Sequence, residues 1–168
     1  MTETLTRIAT ERCRIDRLTV EDAPALAAIT DASVTSQIHF LPDVFGEAEA
    51  RALIADPDFH AVRGAADGAL LGVIGVHRRG GGGHEIGYWF AAAARGCGIA
   101  TEAVRGVVLA LAAARPGGAI VAECHPGNAR SLALLRRVGF METGVAGRRP
   151  GRMLLSWRGE AQGRIDVC

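Results

Sequence analysis

The chain of 168 residues contains no lysine; all 19 of its Lys+Arg positions are arginine. That absence removes mechanisms that depend on a lysine amine, including Schiff-base catalysis and the Walker-type phosphate loop. Excess charge of either sign is also missing. At a formal net charge of +1, nothing electrostatic favours a nucleic acid or a membrane surface as partner. The four cysteines (Cys13, Cys97, Cys124 and Cys168) form no C-x-x-C pair, and with the five histidines they show no metal-ligand spacing, so no metal is expected. No apolar run approaches the roughly 20 residues of a membrane span. The charged start "MTETLTRIATERCRI" has no apolar signal core. These absences point to a protein of a reducing cytoplasm with free thiols.

What is present suits one globular domain over 1–168, with a core at about 12–158 between solvated ends. Hydrophobic residues make up 49% and charged residues 22%, the balance of a chain that buries a proper core. "RCRIDRLT" reads as a first strand. Thr19 and Asp22 form a capping-box pattern that opens a helix with Pro24 in its first turns. "GEAEARALIAD" predicts a second helix, and Asp67-Gly68 a hairpin turn between two strands. "HEIGYWF" is a further strand, followed by helical spacing from Ala100 to about Ala114 that "RPGG" ends. "AIVAECH" reads as a buried strand. "NARSLALLRRVGF" is an amphipathic helix with Leu132, Leu135 and Val138 on one face and Gly139 as its C-terminal cap. Two strands near 140–146 and 152–158 flank the turn "GRRPGR", which reads as solvated, with a contact to a phosphate group or an acidic substrate as the alternative. The expected fold is therefore α/β (α+β), a mixed, mostly antiparallel sheet with helices on both faces and one strand–helix–strand crossover.

Gly96 and Gly98 stand just before the helix at Ala100, where glycine is a poor helix starter. A helix N-terminus offers unpaired N–H groups and the positive end of a dipole, which phosphate oxygens can satisfy together. Side chains at the approach positions would hold a diphosphate away from that backbone. Arg95 adds charge at the mouth. A dinucleotide loop G-x-G-x-x-G is not matched, because Thr101 stands at the sixth position. A purely structural turn is the competing reading.

The neighbourhood of these glycines resembles the GNAT superfamily of acetyl-CoA-dependent N-acetyltransferases. Arg95-Gly96-Cys97-Gly98-Ile99-Ala100 matches its Gln/Arg-x-x-Gly-x-Gly/Ala signature. "HEIGYWF", "ATEAVRGVV" and "NARSLALLRRVGF" extend the resemblance, which is closest to the branch of ribosomal-protein alanine N-acetyltransferases. The resemblance implies acetyl-CoA as co-substrate and an amine as acceptor. By branch that amine is a protein N-terminus; a small amine (polyamine, amino acid or antibiotic) is the runner-up. A non-catalytic acyl-CoA-sensing module on the same scaffold is the rival of a different class. A homodimer is an admissible assembly. Coenzyme contacts are implied for the backbone of Trp89, Phe90 and Ala91, for the loop Arg95, Gly96, Cys97, Gly98, Ile99, Ala100 and Thr101, and for Asn128 and Ser131. The pantetheine arm would lie between two splayed strands, "HEIGYWFAA" and "AIVAECH".

Acetyl transfer requires a neutral amine, yet a lysine amine titrates near ~10.4 and a chain N-terminus at about 7.7–8.0. Glu85 is the candidate base, direct or through water. Alternation puts it with Gly87 and Trp89 on one strand face, and His84, Ile86, Tyr88 and Phe90 on the other. A simple ion pair with an arginine is the alternative role. Ser131 is the candidate acid for the leaving thiolate, because Asn128-x-x-Ser131 matches the branch and the tyrosine many superfamily members carry four residues before the Gly-Phe pair is Leu135 here; a first-turn serine satisfying backbone groups, with solvent as the acid, is the alternative. The lone tyrosine, Tyr88, reads as core. The acceptor pocket is expected from the first two helices and last two strands, with Asp31 and Asp43 as possible amine anchors.

Overall fold

The computed structural model describes Leu5 and residues 7–159; Cys168 and the rest of the expected solvated C-terminal end lie outside the described residues. One sheet of eight strands organises the molecule: β1 (Ile8–Ala9), β2 (Cys13–Arg17), β3 (Phe59–Gly64), β4 (Leu70–Arg78), β5 (His84–Phe90), β6 (Ile120–Cys124), β7 (Phe140–Ala146) and β8 (Met153–Trp157). Their spatial order is β1-β2-β3-β4-β5-β6-β8-β7. Every neighbouring pair is antiparallel except β5 and β6, which α4 (Ile99–Ala114) joins as a crossover. The expected mixed sheet with one such crossover is what forms.

Period-2 alternation divides the sheet's residues between two cores. On one face Ile74, Val76, Ile86 and Phe90 pack under α4 and α5 (Ala129–Val138). The α4 stripe Ala103, Val104, Val107, Val108 and Leu111 is buried there, as are Leu132, Leu135 and Val138 of α5. On the other face Phe59, Ala61, Val73 and Trp89 pack with Leu26 of α1 (Ala23–Ile29) and Ala50 of α3 (Glu47–Ile54). Asp22 accepts the Thr19 N–H at 2.7 Å, but the capping box opens a 3-10 turn that leads into α1. Arg63 of β3 bridges Asp16 and Asp22, tying that turn to the sheet.

Two elements differ from expectation. The segment read as a solvated N-terminal end contributes the edge strand β1. A four-residue helix, α2 (Ala32–Thr35), precedes the long loop to α3, with the Asp31 side chain accepting from the Ser33 N–H as its cap. Asp31 is thus occupied as a helix cap.

Candidate functional site

The parallel strands at the centre of the sheet separate. β5 and β6 pair only at His84–Ile120, Glu85–Val121 and Ile86–Ala122. Beyond Ile86 the β6 side of β5 is open. Ala91 donates its N–H to Leu71 O at 2.8 Å, so antiparallel alternation turns the amides of Trp89 and Gly87 to β4 and those of Tyr88 and Phe90 to the open side. Of the three expected backbone contacts, the Phe90 amide therefore faces the gap and the Trp89 and Ala91 amides bond within the sheet, while the Tyr88 amide faces the gap as well. The Trp89 indole is buried too, donating to Thr30 Oγ1 at 3.1 Å. A passage crosses the sheet through this gap, lined by Glu85, Gly87 and Trp89 on one face and Tyr88, Ser131 and Leu135 on the other.

Beyond the end of β5, the chain turns into α4. Gly96 (φ +76) and Gly98 (φ +81) both adopt the left-handed conformation that glycine allows. A Cβ at Gly96 would meet nothing within 4 Å, so this stretch of backbone is bare. Gly98 is the N-cap and no side chain caps the helix. The N–H groups of Ile99, Ala100 and Thr101 consequently lack intrahelical acceptors. A structural turn and an anion cradle therefore coincide in the same residues. The loop is fastened from two sides. Arg95 spends its guanidinium on Phe90 O (3.2 and 3.0 Å) and Ser33 Oγ (3.1 Å), not on the mouth. Arg12 is the basic residue that reaches the loop: it pairs with Glu102 at 2.7 Å and donates to Cys97 O at 2.9 Å. Thr10 also donates to Glu102. Burial would raise the Glu102 carboxyl's pKa, but the bonds from Thr10 and Arg12 outweigh it and hold the group below the ordinary range. Cys97 Sγ donates to Ala94 O at 3.3 Å.

On the α1–α3 face, Glu85 is bonded on both oxygens, to Arg149 Nη2 at 2.9 Å and Arg79 Nε at 3.0 Å. The ion pair foreseen as its alternative role is present, doubled. Each oxygen keeps a second lone pair for a water or an amine. Arg79 and Arg149 also face Glu123, whose side chain is fully buried and accepts the Arg148 N–H at 2.7 Å and the Arg149 N–H at 3.2 Å. Burial pushes the Glu123 carboxyl up, yet those N–H groups and Arg149 hold it below its usual range. The turn "GRRPGR", expected to be solvated, is therefore folded over the centre of the molecule, with Arg152 donating to Gln37 O at 2.7 Å.

On the α4–α5 face, Asn128 caps α5, its Oδ1 accepting the Ser131 N–H at 3.2 Å. Ser131 Oγ lies 2.9 Å from the Tyr88 hydroxyl. Tyr88 is thus more than core: it presents its hydroxyl to the candidate acid. Burial raises its pKa and the bond to Ser131 opposes this only in part, so the phenol stays protonated. A second opening of about 550 Å³ adjoins the passage, walled by Phe40, Leu41, Pro42, Phe45, Leu53 and Phe59. His39, Phe40, Phe59, His77 and Arg149 line both spaces. Neither Asp31 nor Asp43 lines either one.

A splayed parallel pair stands with an uncapped helix N-terminus past the end of β5 and a polar cluster on the α1–α3 face. Residues 12–141 match the family model described as an acetyltransferase (GNAT) domain. The chain belongs to the GNAT family. Its fold is shared with a GNAT-family acetyltransferase from Bacillus anthracis, at 23% identity, covering 90% of this chain and 97% of that one, with a TM-score of 0.82. The ribosomal-protein-S5-alanine acetyltransferase from Vibrio fischeri aligns at 17% identity, over 90% and 95% of the two chains, with a TM-score of 0.72. Mycobacterium smegmatis RimJ, solved with CoA-disulfide, aligns at 20% identity over 86% and 80%, with a TM-score of 0.68. No curated protein matches the chain in sequence. As a GNAT acetyltransferase, the chain transfers acetyl groups from acetyl-CoA to an amine. The observations that fit this co-substrate are the unpaired α4 amides, the bare backbone at Gly96 and the open edge of β5. No group of three or more metal-ligating side chains occurs among the described residues. No helix among them is long and apolar enough to cross a membrane.

Proposed function

We propose that the acceptor is the N-terminal amine of a protein, delivered from the α1–α3 face. The loop from Gly96 to Thr101 grips the coenzyme's diphosphate with its backbone, and the Tyr88 and Phe90 amides serve the pantetheine or the thioester carbonyl. What carries the reading is the passage through the sheet. It connects the α4–α5 face, where Asn128, Ser131 and Tyr88 line it, to the aromatic-walled groove on the opposite face. A groove open at the surface suits the end of an extended peptide chain. The likeness in fold to the ribosomal-protein-S5-alanine acetyltransferase from Vibrio fischeri supports the same acceptor class.

Each residue's task follows from its surroundings. Glu85 holds the acceptor amine, or a water bound to it, through the lone pairs its two arginines leave free. The amine nitrogen attacks the thioester carbonyl carbon, the C–S bond breaks, and amides aimed at the carbonyl oxygen steady the charge that develops there. Ser131, backed by the Tyr88 hydroxyl, donates to the departing thiolate. Asn128 fixes Ser131 at the first turn of α5 and lines the same passage.

Release of free CoA, followed with a thiol reagent against a panel of N-terminal peptides and small amines, tests the assignment. Turnover with peptides and not with polyamines or free amino acids is the expected result. Turnover confined to a small amine would overturn the acceptor, and tight acetyl-CoA binding without turnover on any amine would favour a sensing role.

A further inference from the structure

On the acceptor face, His77 of β4 and Glu85 of β5 are cross-strand partners, and the next pair along is Gly75 with Gly87. Of these two residues without side chains, Gly87 leaves the floor bare before Trp89, while Gly75 lies beneath the rings of His77 and Phe59; the Phe59 and Trp89 rings are 6.0 Å apart. A Cβ at Gly87 would meet nothing within 4 Å, whereas one at Gly75 would stand 2.8 Å from His77 Nε2. The imidazole is therefore folded over the floor, with Nε2 leading. Its position is fixed from behind. Nδ1 lies 3.2 Å from Asp58 Oδ2, and the ring stands edge-on to Phe59 with centroids 5.2 Å apart. Asp58 is itself held, its N–H donating to Asp56 Oδ1 at 2.9 Å and its C=O accepting from the Val76 N–H at 2.8 Å.

We propose that the Asp58–His77 pair is the proton acceptor for the incoming amine, with Nε2 as the receiving atom. This rests on the acetyl-transfer reading above and deepens it. A carboxylate on Nδ1–H selects the tautomer whose Nε2 lone pair is free, and stabilises the imidazolium once formed. Glu85, with an arginine on each oxygen, acts instead by holding the amine. The proton balance closes. The ammonium form of the acceptor gives one proton to Nε2, and the neutral amine adds to the thioester carbon. The C–S bond then breaks, and the second amine proton accounts for the thiol of CoA. The imidazolium returns its proton to solvent.

The charged and titratable groups around the ring are Asp58 behind it, Glu85 across the strand, Arg149 and His39 over the mouth, and Glu49 and Asp56 along the groove. His39 is the competing imidazole. Burial, then Arg149 and Arg152, disfavour its protonated form.

The test compares His77→Gln, His77→Ala, Asp58→Asn and His39→Gln in the CoA-release assay across pH, with acetyl-CoA binding measured by calorimetry. His77→Gln should lower kcat roughly 100-fold, within the usual contribution of a positioned base. It should also erase the acid limb of the kcat/KM profile and leave acetyl-CoA affinity unchanged. Added imidazole should restore part of the His77→Ala activity. A His77→Gln protein with normal kcat and a normal acid limb would overturn the proposal, as would loss of that limb in His39→Gln alone. Absence of turnover in the unmodified protein on every amine would instead remove the acetyl-transfer reading, and this proposal with it.

Discussion

Replacing Gly98 with valine separates the coenzyme role of this glycine from its conformational one. The left-handed backbone at Gly98 (φ +81) costs a residue with a Cβ about 1–2 kcal/mol, and branching makes the fit worse. A Cβ there would stand 3.3 Å from Arg12 Nη2, and that guanidinium is pinned by Glu102 and Cys97 O. A valine therefore pushes against a fastened side chain and shifts the start of α4. Displacing one charge-assisted bond to a phosphate removes about 1.5–3 kcal/mol, so acetyl-CoA affinity should fall roughly 10- to 100-fold. The control is Gly144→Val in β7, where φ is +75 and a Cβ would meet nothing within 4 Å. Both variants should lose about 1–2 kcal/mol in urea unfolding, but only Gly98→Val should lose affinity in calorimetry. Unchanged affinity in Gly98→Val, or an equal loss in Gly144→Val, would refute the cradle.

Glu123→Gln should destabilise the fold by about 3–5 kcal/mol, because a fully buried carboxylate facing two guanidiniums and two backbone N–H groups is replaced by an uncharged amide; urea unfolding within 1 kcal/mol of the parent would contradict that. Glu102→Gln should loosen Arg12 and weaken acetyl-CoA binding severalfold without changing kcat at saturation, and a fall in kcat alone would assign Glu102 a different role. Stability should decline as pH falls from about 6.5. His60, His39 and His84 have folded pKa values lowered by burial, so below the unfolded value the unfolded chain takes up protons the native state refuses. A second decline, at lower pH, should follow as Glu123, Glu102 and Asp22 leave their ionised partners. His60→Gln, at a ring whose two nitrogens lack hydrogen-bond partners, should flatten the first decline in thermal melts, and an unaltered profile would exclude His60 as its main source.

Local chemistry was legible in the sequence, and long-range chemistry was not. The crossover, both flanking helices and the glycine pair could be read because period, caps and glycine spacing act over a few residues. Strand alternation also separated Glu85 from Tyr88 correctly, since it needs only the pleat. Alternation could not tell that the Tyr88 hydroxyl meets Ser131, a contact spanning 43 residues. The same holds for Arg12 on Glu102, 90 residues apart, and for Glu123 beneath "GRRPGR". Each pairs groups that propensity reads as solvated turn or edge and that tertiary packing brings together. β1 and α2 were missed for a different reason: two and four residues are too few for a period to show. Arg95, expected at the mouth, is held by Phe90 O and Ser33 while Arg12 reaches the loop, because charge near a loop says nothing about which side chain the backbone carbonyls capture.

A structure of the protein with acetyl-CoA tests the central claim most directly. Diphosphate oxygens should lie within hydrogen-bond distance of the Ile99, Ala100 and Thr101 amides, and the thioester in the gap beside Tyr88 and Phe90, opening toward His77 and Glu85. A coenzyme bound away from the 96–101 backbone, or a gap closed by pairing of β5 with β6 beyond Ile86, would contradict it.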